Sequence, residues 1–212
     1  MRVSVGAAAL VLIAIALAVV LVRGIIWRVF DSAPPAGRMI RGAAFTVVGL
    51  AFFAHWVVAD PGLEESATQS DWPYVLGFSA VLLTLVVALP LYGRMLRGRW
   101  AFRLSLIAAA GAAIQSVANI FEDGLQIDWV FFVFIVGTGI VLLALTALAF
   151  VVGRAGAPGY RLLAVVPAAT VAATIFYVWA GGPIMLVTWL AAAGAALVMP
   201  ARQRVDSESI TP

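Results

Sequence analysis

Leu106-Ile107-Ala108-Ala109-Ala110-Gly111-Ala112-Ala113-Ile114-Gln115-Ser116-Val117-Ala118-Asn119-Ile120-Phe121-Glu122-Asp123-Gly124 is the stretch on which the fold turns. It follows Arg103, and no charge interrupts it before Glu122. An apolar run of about 20 residues is what a helix needs to cross the hydrocarbon of a bilayer. The half nearer Arg103 is a run of small residues, which let helices approach closely where dispersion rather than hydrophobicity drives packing. The other half turns polar. Gln115, Asn119 and Glu122 follow one another at spacings of four and three, so they share one side of a helix. Ser116 and Asp123 flank that stripe.

The rest of the chain repeats the pattern. Of 212 residues, 64% are hydrophobic and 11% charged, against about 25% charged in an ordinary soluble domain. A soluble globule of this size cannot hide that much apolar surface. Soluble enzymes, disordered proteins and nucleic-acid binders are thereby set aside. Seven segments qualify as spans: 4–22, 42–59, 73–93, 103–121, 129–152, 161–179 and 183–200. The expected fold is an all-α membrane protein, a single bundle of seven transmembrane helices over residues 1–200. Residues 201–212 read as a disordered cytoplasmic tail. The first segment ends in Val20-Leu21-Val22-Arg23 without a small-residue cleavage site, so it reads as an uncleaved helix. The last two are joined only by Ala180-Gly181-Gly182-Pro183, where Gly suits a helix end and Pro a first turn.

Charge orients the bundle. Arg23, Arg28, Arg38, Arg41, Arg94, Arg97, Arg99, Arg103, Arg154, Arg161, Arg202 and Arg204 all fall on one side of a seven-span chain. The other side holds Asp60, Glu64, Glu65, Asp71, Glu122, Asp123 and Asp128, with Arg2 as its one basic residue. The positive-inside rule makes the arginine side cytoplasmic and puts the N-terminus outside. Trp27, Tyr92, Trp100 and Tyr160 are expected at the inner interface. Trp56, Trp72, Tyr74, Trp129, Tyr177 and Trp179 are expected at the outer one. Asp71-Trp72 and Asp128-Trp129 each open a span, with Asp in the role of helix N-cap. The net charge of +3 thus reflects orientation, and the partner expected at the arginine clusters is anionic lipid headgroup. The place is the plasma membrane. The richness in Ala, Gly, Val and Arg, with no Lys, points to a bacterium with a GC-rich genome.

Absences narrow the chemistry. There is no Cys and no Lys, and only one His. Disulfides, thiolate metal sites, Schiff-base lysines and two-His metal motifs are excluded within one chain, and no cofactor or metal is expected. What remains is the polar outer half. His55 lies one turn below Asp60, and Thr170, Thr174 and Tyr177 line one face of the sixth segment. Polar groups at depth face the bundle interior or a water-filled cavity. His55, Gln115, Asn119, Glu122 and Tyr177 are therefore expected to converge as a ligand site. Pro90 and Pro167 are expected to kink their helices. Three functions fit. The first is an outward-facing cavity that binds or transports a small hydrophobic or cationic ligand. The second is an intramembrane enzyme on a lipid or isoprenoid, with Glu122 or Asp123 as general acid and His55 as a further catalytic candidate. The third is an accessory subunit without its own site, held by another membrane protein.

Topology is directly testable. A reporter fused after Gln203 should give a cytoplasmic signal, and an extracytoplasmic one would refute the orientation.

Overall fold

A computed structural model describes residues 34–59, 72–96, 98–154 and 158–198. The first expected span, 4–22, and the tail, 201–212, lie outside the described residues, as do Arg23, Arg28, Asp60, Glu64, Glu65 and Asp71. Every regular element among the described residues is helical. The helices are α1 (Pro34–Ala59), α2 (Trp72–Met95), α3 (Arg99–Asn119), α4 (Phe131–Gly153), α5 (Pro158–Arg161), α6 (Val165–Ile175) and α7 (Gly182–Val198). Five stretches are long and apolar enough to cross a membrane: Gly37–Val58, Tyr74–Met95, Arg99–Gly124, Asp128–Gly153 and Trp179–Val198. This is the architecture of an α-helical membrane protein.

The helices form a ring in which sequence neighbours pack antiparallel. α1 packs on α2, α2 on α3, α3 on α4, α4 on α6, and α6 on α7, and α7 closes broadly on α1. Alternation gathers Arg38, Arg41, Arg94, Arg99, Arg103, Arg154 and Arg161 at one end and Glu122, Asp123 and Asp128 at the other. At the arginine end Trp100 is largely exposed. The Arg103 guanidinium lies 5.2 Å above the Trp100 ring, and Arg154 lies 3.8 Å above Phe150. Tyr92, expected at that interface, is instead fully buried.

Small residues set the close approaches. A Cβ on Gly111 would sit 2.9 Å from the Gly137 carbonyl oxygen, and one on Gly137 would sit 3.0 Å from that of Gly111. The two glycines thus let the α3 and α4 backbones meet. On α1, Gly42, Gly49 and Trp56 recur every seven residues. They face Leu197, then Leu186 and Trp189, then Gly182, in descending order along α7. Between α2 and α3, Ser79 Oγ donates to the Ser116 carbonyl (3.1 Å) and Ser116 Oγ to the Ser79 carbonyl (3.0 Å). Gly98, at φ 113°, turns the chain into α3 where other residues would be strained.

The segment expected as one helix over 161–179 is broken. α5 passes through a 3-10 turn, Leu162–Ala164, into α6, which ends at Ile175. Pro167 explains the start, since it has no N–H for the carbonyl four residues back, which belongs to Leu163. A backbone N–H of the 3-10 turn and the Tyr92 hydroxyl both donate to that carbonyl. At the far end, a π turn over Tyr177–Gly181 leads into α7, with Pro183 in its first turn. A second π turn, Ile120–Gly124, ends α3. Asp128 is not the expected N-cap: it lies inside a 3-10 turn, Asp128–Val130, and makes no capping bond.

The core is densest towards the arginine end. Phe45, Tyr92 and Trp189 are wholly buried. Their ring centroids lie 6.0 Å (Phe45–Tyr92), 5.4 Å (Phe45–Trp189) and 6.1 Å (Tyr92–Trp189) apart. Leu89, Leu145 and Leu148 pack around them.

The α3–α4 contact yields a matched pair of variants. Gly111→Ala should lower stability by about 1–3 kcal/mol through overpacking. Gly139→Ala, whose Cβ would meet nothing within 4 Å, should be neutral or gain up to about 1 kcal/mol of helix propensity. Unfolding in mixed micelles is the measurement.

Candidate functional site

Towards the acidic end the ring is hollow. A partly open cavity of ≈ 190 Å³ lies among the helices, and every long helix among the described residues contributes to its wall. Phe52 comes from α1, and Phe78, Leu82 and Leu85 from α2. α3 supplies Gln115, and α4 supplies Phe134, Thr138 and Val141. Ala173 and Thr174 come from α6, Tyr177 from the π turn and Met185 from α7. Most of the wall is apolar, and its polar groups are one amide and three hydroxyls.

Tyr177 is held by two bonds to α1. Its hydroxyl lies 2.7 Å from His55 Nδ1, and its carbonyl accepts from Trp56 Nε1 at 2.8 Å. The second bond is local in cause, because a π turn misaligns the helical ladder and leaves carbonyls to be satisfied from outside. Gly182 makes room for the Trp56 side chain, which occupies the space a Cβ would need. His55 is buried, with its ring 5.1 Å from that of Tyr74 and 5.4 Å from that of Phe78. Its Nε2 has no partner among the described residues.

The polar stripe of α3 is divided between two neighbours. Gln115 turns to α4, where Nε2 donates to Thr138 Oγ1 at 2.7 Å. Asn119 turns to α2, where Nδ2 donates to the Val75 carbonyl and to Ser79 Oγ, both at 3.0 Å. Both side chains are buried. Glu122 and Asp123 stand in the π turn that ends α3, only partly buried, and neither lines the cavity.

Of the five residues expected to converge, the structure thus joins His55 to Tyr177 and sets Gln115 in the same wall as Tyr177. Asn119 ties α3 to α2, and Glu122 stays at the rim of the bundle. The phenyl rings of Phe52, Phe78 and Phe134 were missed. In a membrane sequence a Phe signals nothing about which way it faces. Thr174 belongs to the wall, whereas Thr170 is buried and donates to its own helix at Val166. Among the described residues no group of three or more His, Asp or Glu side chains is placed to hold a metal.

Comparison with protein families, with curated proteins and with solved structures finds no match to this chain. The fold and the cavity therefore carry the functional argument alone, for a polytopic protein of membrane-spanning type.

The His55–Tyr177 contact can be measured as a coupling. Tyr177→Phe strips a partner from a buried ring nitrogen, a loss of about 1–3 kcal/mol. His55→Phe in the Tyr177→Phe background should cost less than His55→Phe alone, because nothing polar is then left unpaired. Additive losses across the double-mutant cycle would show that the two groups do not interact.

Proposed function

We propose that this chain is a plasma-membrane protein that takes a small, mainly apolar ligand into the cavity walled by Phe52, Phe78, Phe134 and Tyr177. The single observation behind the proposal is the position of that cavity. It is enclosed by all the long described helices together, with its few polar groups fixed by hydrogen bonds rather than left to solvent. Small-molecule sites have this composition: concave, mostly apolar, with a few placed polar groups. In the proposed topology there are seven spans over residues 1–200, the N-terminus is outside and the tail 201–212 is cytoplasmic. The cavity then belongs to the outer half of the bilayer and the packed Phe45–Tyr92–Trp189 cluster to the inner half. Ligand reaches the site from outside or from the outer leaflet, and the filled half acts as the barrier. The arginine clusters hold anionic headgroups on the cytoplasmic side.

Size bounds the ligand. An engineered cavity of about 150 Å³ holds one benzene, so ≈ 190 Å³ suits one monocyclic or short branched molecule. A diacyl lipid is far too large. That weighs against catalysis on a lipid, as does the placement of Glu122 and Asp123 outside the wall.

The reading is tested by filling the cavity. In detergent-purified protein, 4-fluorotoluene should show a saturable, protein-dependent ¹⁹F shift. Leu82→Phe, which projects three more carbons into the space, should reduce that affinity by about tenfold or more. The micelle background is common to both proteins. Equal shifts with both would place the probe elsewhere and remove the support for a ligand site.

A further inference from the structure

We propose that the cavity selects a neutral ligand whose single polar group is a hydrogen-bond donor, an alcohol or phenol on a ring-sized apolar body. This rests on the reading of the cavity as a ligand site and names the chemistry it would take.

Most polar protons of the wall are already committed to partners in the protein. A hydroxyl has one proton to give and two lone pairs with which to accept. Thr138 Oγ1 gives its proton to the Phe134 carbonyl at 3.0 Å and accepts from Gln115 at 2.7 Å. Thr174 Oγ1 gives its proton to the Thr170 carbonyl at 2.9 Å. Gln115 spends one amide proton on Thr138 and keeps the other, along with both lone pairs of its carbonyl oxygen. Tyr177 Oη lies 2.7 Å from His55 Nδ1. In one tautomer Tyr177 donates its proton to Nδ1; in the other it accepts from Nδ1–H and its own proton is left for a ligand. Either way a lone pair on Oη stays open.

The wall therefore offers lone pairs in excess of protons. The two threonine protons are held by carbonyls one turn back in their own helices. A ligand that brings a donor meets acceptors already oriented. One that brings only an acceptor finds few protons to meet and loses its hydration without replacement.

Charge is selected by the same wall. Among the described residues no Arg and no carboxylate lines the cavity. An anion would be desolvated with no counter-charge, and a cation would have ring faces but no carboxylate partner. A neutral donor needs neither.

The experiment compares ligands of one size on the full chain in detergent micelles, followed by ¹⁹F shifts. The set is 4-fluorobenzyl alcohol, which donates; 4-fluorobenzaldehyde, which only accepts; 4-fluorobenzoate, an anion; and 4-fluorobenzylamine, a cation at neutral pH. The alcohol should bind about tenfold more tightly than the aldehyde, the value of one net hydrogen bond, and more tightly than either ion. Thr174→Val keeps the side-chain shape and removes the acceptor, so it should shrink the alcohol-to-aldehyde ratio. Equal affinity for alcohol and aldehyde overturns the donor rule while leaving a ligand cavity in place. Preference for the amine replaces the neutral donor with a cation. No saturable shift from any of the four, nor from 4-fluorotoluene, overturns the ligand site itself and this inference with it.

Discussion

A backbone carbonyl in an apolar medium must find a donor, and this constraint orders much of the structure. Water would supply the donor at a protein surface, but lipid does not. Pro167 deprives Leu163 of its donor four residues on; a backbone N–H of the 3-10 turn serves that carbonyl, and the Tyr92 hydroxyl crosses the ring to add a second bond. The π turn at Tyr177 does the same on a smaller scale, and Trp56 answers. Ser79 and Ser116 exchange protons with each other's carbonyls, and Asn119 reaches the Val75 carbonyl. The polar side chains of the interior act mainly as ties between helices, each placed where a carbonyl was within reach.

These ties have different consequences at the two ends. Towards the arginine end, three large rings and a set of leucines belong to the buried core. Towards the acidic end, aromatic side chains stand around the space instead of in it. Phe78 and Phe134 are 6.4 Å apart between centroids, and Phe78 and Tyr177 are 6.3 Å apart. The His55–Tyr177–Trp56 contacts hold the hairpin of α6 and α7 against α1. Dispersion across such a gap is lost unless something occupies it, so the ring arrangement itself favours an occupant.

The class of fold was legible because it depends on composition, and the five long spans of the described residues because they depend on length. Arg103, the apolar run and Glu122-Asp123 located α3 to within a few residues. The break in the sixth span was only half legible. Pro167 marked it, but the π turn at Tyr177 has no sequence signal beyond the glycines that follow. The site was readable only in part, because helical spacing gives a face but not the neighbour it meets. Gln115 and Asn119 are four residues apart and nearly aligned, yet the groove between α2 and α4 draws one to each side. His55 and Tyr177 were expected together from their shared depth alone, and they lie within hydrogen-bonding distance. Phe52, Phe78 and Phe134 carried no mark, since lipid and protein interior reward the same residue.

The brevity of the sixth span bears on the lipid around it. The apolar helix Leu162–Ile175 rises only about 21 Å at helical pitch. The hydrocarbon core beside it is about 30 Å thick. Its neighbours α4 and α7 are long enough to match that thickness, so the shortfall is confined to one sector of the perimeter. A membrane meets such a sector by thinning locally, at a cost that grows with each ångström of mismatch. In the seven-span topology proposed above, the bilayer would dimple at one point on the rim, next to the wall formed by Thr174 and Tyr177. An apolar molecule dissolved in that leaflet would meet its thinnest barrier there.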